Sequence, residues 1–170
     1  MSKPILYLMV GYPGAGKTTV SRLISKRTGA IHLWADAERH KMFGEPTHSH
    51  EESVQLYEYL NHRAAELLAN GESVVFDTNF NFASDRDKLR EIAKARNAET
   101  KVIWLTTPVE VAREKAVHPP KMRNGYMIGM TEEEFDSIVS KLEPPDKNEK
   151  VIKIDRSKLD ADSLLRILGI

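Results

Sequence analysis

The fold class predicted for this 170-residue chain is α/β, a three-layer domain with helices on both faces of a parallel sheet. Three observations predict it. Short apolar or β-branched runs alternate with longer stretches of helical spacing. The short runs are mainly apolar, as strands covered on both faces are. The length suits one compact domain with a real core rather than two, and no repeat, low-complexity tract or linker divides residues 1–170.

The strands read, in order, Ile5 to Val10, Ile31 to Trp34, Ser73 to Asp77, Lys101 to Leu105 and Val151 to Ile154. A helix follows Gly16. A second helical stretch holds Leu56, Tyr59, Leu60, Arg63, Ala64 and Leu67 at helical spacing and stops at Asn70 and Gly71, a helix-ending pair. Ser84 is placed as the cap of a helix running to about Asn97, Thr107 with Pro108 starts the next, and Thr131 with Glu134 has capping-box spacing for a third. Residues 118–130, HPPKMRNGYMIGM, break the rhythm with two prolines, two glycines and two cations. A loop of that length in a compact domain points to a functional cover, a short lid.

Lys plus Arg equals Asp plus Glu, 25 each, so the net charge is zero. A long-range field that gathers nucleic acid or anionic membrane is therefore not expected, and no extended nucleic-acid surface is predicted; a local basic pocket stays open. There is no cysteine, which excludes a disulfide framework, a thiolate metal site and a cysteine nucleophile and suits a reducing, cytoplasmic setting. The apolar run Ile5 to Val10 is far too short to cross a bilayer, and it leads into a glycine-rich loop rather than a cleavage site.

That loop is the sharpest chemical signal. Gly11, Tyr12, Pro13, Gly14, Ala15, Gly16, Lys17 and Thr18 match GxxxxGKT in full, between a predicted strand and a predicted helix. In such a P-loop the glycines let successive backbone N–H groups turn towards phosphates, the lysine reaches the terminal phosphoryl group, and the threonine hydroxyl ligates magnesium at the helix start. The nucleotide-binding set is thus Gly11, Pro13, Gly14, Ala15, Gly16, Lys17, Thr18 and Thr19, the nucleotide ATP or GTP, and the ion Mg2+.

Ligands of open α/β sheets lie beyond the carboxyl ends of the strands, and two aspartates stand there. Asp36 follows the second strand, and Arg39, three residues on, shares its face if a helix begins at that point. In the functional reading Asp36 accepts the proton of an acceptor hydroxyl while Arg39 orients it or neutralises the transferring group; in the competing one Asp36 is a helix cap with a surface salt bridge. Asp77 ends the buried run Val74, Val75, Phe76, where a magnesium-binding acid is found in such sheets. Its alternative is a turn formed by Asp77, Thr78 and Asn79. His40, His48, His50 and His62 lack metal-ligand spacing and read as polar loop and helix residues. Tyr57 and Tyr59 read as packing residues, and Trp34 and Phe80 either line an acceptor pocket or pack at strand ends.

Taken together, LMVGYPGAGKTTVSRLI, WADAERHKMFG, GESVVFDTNFN with Arg86, and LEPPD resemble the small P-loop kinases, which include the kinase domain of phage and bacterial polynucleotide kinases, chloramphenicol phosphotransferase and the zeta toxins. The resemblance covers nearly the whole chain. It implies a base at Asp36, an acceptor contact at Arg39, and substrate positioning by Asp77, Thr78 and Asn79 near the metal. It also implies lid and nucleotide contacts at Arg113, Lys115 and Arg123; Lys115 departs from the arginine expected there, and His118, Pro119 and Pro120 stand where another arginine is usual. The expectation is a P-loop domain with sheet order 2-3-1-4-5 that moves the γ-phosphoryl group of ATP to a hydroxyl of a small molecule or of a nucleic-acid 5'-end. Lys17, Asp36, Arg39 and Arg123 are the catalytic residues, Arg113 joins the nucleotide set, and Thr18 and Asp77 serve the metal. The alternative is an ATPase or nucleotide switch without an acceptor.

Overall fold

The computed structural model describes residues 2–119 and 129–170. Five strands, β1 (Ile5–Val10), β2 (Ile31–Trp34), β3 (Val74–Asp77), β4 (Glu99–Leu105) and β5 (Val151–Ile154), form one parallel sheet in the order β2-β3-β1-β4-β5. This is the expected order. Both Met9 of β1 and Trp34 of β2 pair with Asp77 of β3, so these three strands finish level and whatever follows them meets at one edge.

The helices are α1 (Lys17–Thr28), α2 (Ala35–Phe43), α3 (His50–Ala69), α4 (Ala83–Ala95), α5 (Val109–Val117), α6 (Glu132–Lys141) and α7 (Ala161–Leu168). Strand alternation sorts them into layers. Leu6, Leu8 and Val10 point to one face and pack with Leu56, Leu60 and Ala64 of α3 and Leu89 and Ala93 of α4. Tyr7 and Met9 point to the other, against Val20 and Ile24 of α1, Ala112 and Ala116 of α5, Phe135 of α6 and Leu164 and Leu168 of α7. Among the described residues no helix is long and apolar enough to cross a membrane.

Several boundaries differ from the sequence reading, each for a local reason. β3 starts at Val74 because Ser73 serves its neighbours instead, its hydroxyl accepting from Ile5 N (2.9 Å) and its carbonyl from Ile31 N (2.8 Å). β4 starts two residues early, at Glu99, where it pairs with Ile5. Ser84 does not cap α4: Phe82 holds the cap position, and the first amide, Ala83 N, donates to the Glu143 carboxylate at 2.9 Å. Nor does Thr107 cap α5, which begins at Val109; its hydroxyl donates to Ala15 O (2.9 Å). The capping box of Thr131 and Glu134 forms with both of its bonds. α7 lies beyond the elements read from the sequence, although Asp160, whose side chain accepts from Ser163 N, is its signal.

Arg86 of α4 has no solvent exposure, and its guanidinium binds Glu149 twice (2.9 and 3.0 Å), Phe80 O (2.9 Å) and Glu143 O (3.0 Å). Arg90 adds a third contact to Glu149 at 2.7 Å. The charged cluster pins the LEPPD segment and the short 3-10 turn Lys147–Glu149 onto α4, which fixes how α6 approaches the rest of the domain.

Candidate active site

The loop between β1 and α1 is shaped by its neighbours as much as by its own sequence. Gly14 sits at φ 82° with α5 directly against it: a Cβ there would lie 2.2 Å from Ala112 O. Only glycine fits both the dihedral and the gap. Ala15 N donates to Tyr12 O (3.0 Å), and Ala15 O is held in turn by the Thr107 hydroxyl at the end of β4. Lys17 folds over the loop, its Nζ donating to Gly11 O (2.9 Å) and Tyr12 O (2.8 Å), so the ammonium stands at the loop's mouth.

A cleft of about 960 Å³ opens in front of this loop, at the upper end of the range for small-molecule sites. Pro13, Gly14, Gly16, Lys17 and Thr18 form its floor. Asp36, Arg39 and Asp77 line the same cleft, so the level ends of the strands bring together the groups expected to share it. Thr19 is exposed on the outer side of α1 and Gly11 is buried beneath the loop; neither lines the cleft.

Asp36 is in the first turn of α2 and does not cap it, Trp34 holding that position. It is open to cleft water, yet protein surrounds it closely enough that burial raises its carboxyl pKa above the ordinary 3.8. Asp77 pushes the same way, while Lys17, Arg39 and His48 oppose. A carboxylate with a raised pKa is a better proton acceptor than a free one.

Asp77, 2% exposed, has one oxygen engaged: His32 Nε2 lies 2.9 Å from its Oδ2. His32 lies parallel to Trp34 (9°, centroids 6.1 Å), and Arg22 stands 5.3 Å from the Trp34 ring. Trp34 lines the cleft; Phe80 is in the core against Phe76, so the pocket role weighed for it gives way to packing. Tyr57 also lines the cleft, with its hydroxyl 2.6 Å from that of Thr78; burial raises its pKa, and the Thr78 bond opposes that rise.

Arg39 is not the surface residue of the competing reading. It is 8% exposed and bonded to Glu52 at 2.7 Å and to Ser53 Oγ at 3.3 Å. Arg113 does not reach the cleft: its guanidinium is tied to Glu132 (2.6 Å) and Asp136 (2.7 Å) of α6, over the Phe135 ring at 4.8 Å. Lys115, two residues on, does line it, with Lys141 of α6. Arg123 and most of the 118–130 segment lie outside the described residues.

The donors suit magnesium. The Thr18 hydroxyl and the Asp77 carboxylate are hard oxygens around one cleft, and among the described residues no group of three acidic or histidine side chains forms a metal cage by itself. Magnesium bound between phosphates and one or two protein oxygens needs no such cage. The residues the sequence reading missed are Glu52 and His32. Glu52 had a signal in the spacing of Ser49 and Glu52; His32, inside an apolar run, had none.

A sequence model of the AAA domain, here a family of small P-loop kinases, matches residues 6–145. The chain belongs to that family. A curated shikimate kinase of Persephonella marina is 27% identical to this AAA-domain protein over 109 residues, 63% of this chain and 64% of that one. The chain thus matches just under two thirds of the length of that relative. Among solved structures, a putative kinase from Chloroflexus aurantiacus superposes with a TM-score of 0.75 at 19% identity, covering 99% of this chain and 98% of that one. A gluconokinase from Sinorhizobium meliloti gives 0.69 at 22% identity, covering 98% and 90%. The APS kinase of Mycobacterium tuberculosis, solved with AMPPNP and APS, gives 0.69 at 17% identity and covers both chains fully. At these identities the likeness shows the fold, a kinase-like P-loop fold.

Proposed function

We propose that this protein transfers the γ-phosphoryl group of magnesium-bound ATP to a hydroxyl of a small molecule or of a nucleic-acid 5'-end. The observation that carries the reading is the placement of Asp36: a carboxylate of raised pKa facing the cleft whose floor is the P-loop. A nucleotide-binding site needs the loop and a metal donor, but not a second acid set to take a proton from an alcohol.

In this reading the loop amides and Lys17 hold the phosphates. Lys17 exchanges its bonds to Gly11 O and Tyr12 O for phosphate oxygens. Thr18 and Asp77, which line the same cleft, would hold magnesium, and the ion would supply charge neutralisation to the phosphates. The acceptor oxygen forms a bond to the γ-phosphorus as the bond to the β,γ-bridging oxygen breaks; the alcohol proton passes to Asp36 and ADP departs. Arg39 orients the acceptor, and Lys115 takes the place on α5 from which a cation reaches the phosphates. The lid role expected of Arg123 and the 118–130 segment falls mostly on residues outside those described. The family membership, the kinase names of the relatives and the AMPPNP bound by the M. tuberculosis protein support an ATP-type donor.

The test is incubation with γ-labelled ATP and magnesium against nucleosides, sugars, alditols, antibiotics and 5'-hydroxyl oligonucleotides. Label in one organic product is the expected result. Label found only in inorganic phosphate, at a rate no acceptor changes, would make the protein an ATPase instead.

A further inference from the structure

Glu52, in the first turn of α3, has no part in the transfer described above. Its carboxylate is nevertheless 6% exposed and collects four hydrogen bonds. Oε1 accepts from Arg39 Nη1 (2.7 Å) and His48 N (3.2 Å), and Oε2 from Thr47 N (2.8 Å) and Thr47 Oγ1 (3.0 Å). Ser49 and Glu52 have capping-box spacing, and Ser49 Oγ does accept from Glu52 N at 3.2 Å. A capping glutamate would return to the Ser49 amide. This one turns instead to the 47–48 turn and to Arg39, and so places a full negative charge against the guanidinium.

The electrostatic consequence falls on the α2–α3 side of the cleft, where Asp36 takes the alcohol proton. There Asp36 and Arg39 line the cleft and Glu52 stands behind Arg39 at 2.7 Å, so two carboxylates face one guanidinium; Asp77, 2.9 Å from His32, is given to the metal, and His40, His48 and Tyr57 are the other ionisable side chains lining that side among the described residues. On the opposite side Lys115 and Lys141 share the wall with Glu133 and Glu134, and Lys17 belongs to the phosphates. An acceptor with a phosphate or carboxylate beside its reacting hydroxyl meets this wall as like charge. A hydroxyl-rich neutral acceptor meets it as a partner. Its O–H groups donate to Asp36, and its oxygens accept from Arg39, whose several N–H donors are only partly used by Glu52 and Ser53.

We infer that the acceptor is an uncharged, hydroxyl-rich molecule, and that Glu52, by compensating Arg39, selects it over acceptors carrying an anionic group next to the reacting hydroxyl. This rests on the phosphotransferase reading and narrows it. The test uses the full chain, γ-labelled ATP and matched pairs that share a hydroxyl and differ in one anionic group: a nucleoside with its 3'-monophosphate, and an alditol with the corresponding aldonate. For the wild-type protein, kcat/KM for the uncharged member is expected to exceed that of its partner by about tenfold or more. In Glu52→Gln the ratio should shift about tenfold towards the charged member, because the guanidinium is then uncompensated. A carboxylate that only props the turn would depress both members alike, and an unchanged ratio overturns the assignment to Glu52. The wild-type comparison needs no variant and stands even if Glu52→Gln does not fold. Preference for the charged member, or none, overturns the inference and leaves the phosphotransferase intact. ATP binding with transfer to no member overturns both.

Discussion

Asp36 combines cost and use in one side chain. Its pKa is raised in the folded protein, so the fold binds this proton more tightly than the unfolded chain does. Stability is therefore lost as pH rises from the ordinary value of 3.8 through the folded one, and at neutral pH the ionised group is a liability. Asp36→Asn should raise the melting temperature at pH 7, leave ATP affinity unchanged and cut phosphoryl transfer by about a hundredfold or more; calorimetry and a transfer assay on one preparation check all three. Lys17→Ala separates the other half of the site. With no ammonium at the loop's mouth, ATP binding measured by titration calorimetry should fall below detection, and activity with it.

The P-loop owes its shape to α5 as well as to its own residues, and two glycines distinguish the contributions. Gly14 and Gly29 have nearly the same left-handed φ, 82° and 79°, but a Cβ meets Ala112 O at 2.2 Å at the first and nothing within 4 Å at the second. Gly29→Ala should cost about 1 kcal/mol of backbone strain and leave nucleotide affinity alone. Gly14→Ala should cost more, roughly 1–3 kcal/mol, and weaken ATP binding, because the loop or α5 must shift. Chemical denaturation and nucleotide titration of both variants give the comparison. The loop's place was legible because GxxxxGKT is local and its chemistry dictates its spacing. The five strands were legible for a similar reason, since runs such as Val74, Val75 and Phe76 are apolar throughout. The caps of α4 and α5 were not: Ala83 N is satisfied by Glu143, 60 residues away, and Thr107 by Ala15, 92 residues away. The same holds for the partners of Arg39 and Asp77. Glu52 and His32 become visible only once α3 and β2 are laid beside them.

Across the whole domain, two buried carboxylates tie distant segments together. Burial alone would raise both pKa values, but it is outweighed by Arg39, Thr47 and His48 around Glu52, which hold it at about 2, and by Arg86 and Arg90 around Glu149, which hold it below 4.5. Depressed carboxylates stabilise the fold above their unfolded value near 4.5 and lose that contribution as pH falls towards the folded values. Acid unfolding is thus expected to begin below pH 4.5. Glu149→Gln should be less stable at pH 7 by about 3 kcal/mol, since it leaves Arg86 buried without its counter-charge, and the gap to wild type should narrow with acid. Urea unfolding at pH 7 and pH 3 measures that convergence. The proposed transfer takes place in the cleft where the P-loop, the Thr18 hydroxyl and the Asp36 carboxylate meet. Its most direct test is single-turnover quench of enzyme loaded with γ-labelled ATP and then mixed with the acceptor panel, in wild type and Asp36→Asn side by side. Wild type should place the label in a phosphate ester of the acceptor, and Asp36→Asn should bind ATP equally yet form that ester at least about a hundredfold more slowly. An ester formed at the same rate by both proteins, or label released only as inorganic phosphate, would contradict the account.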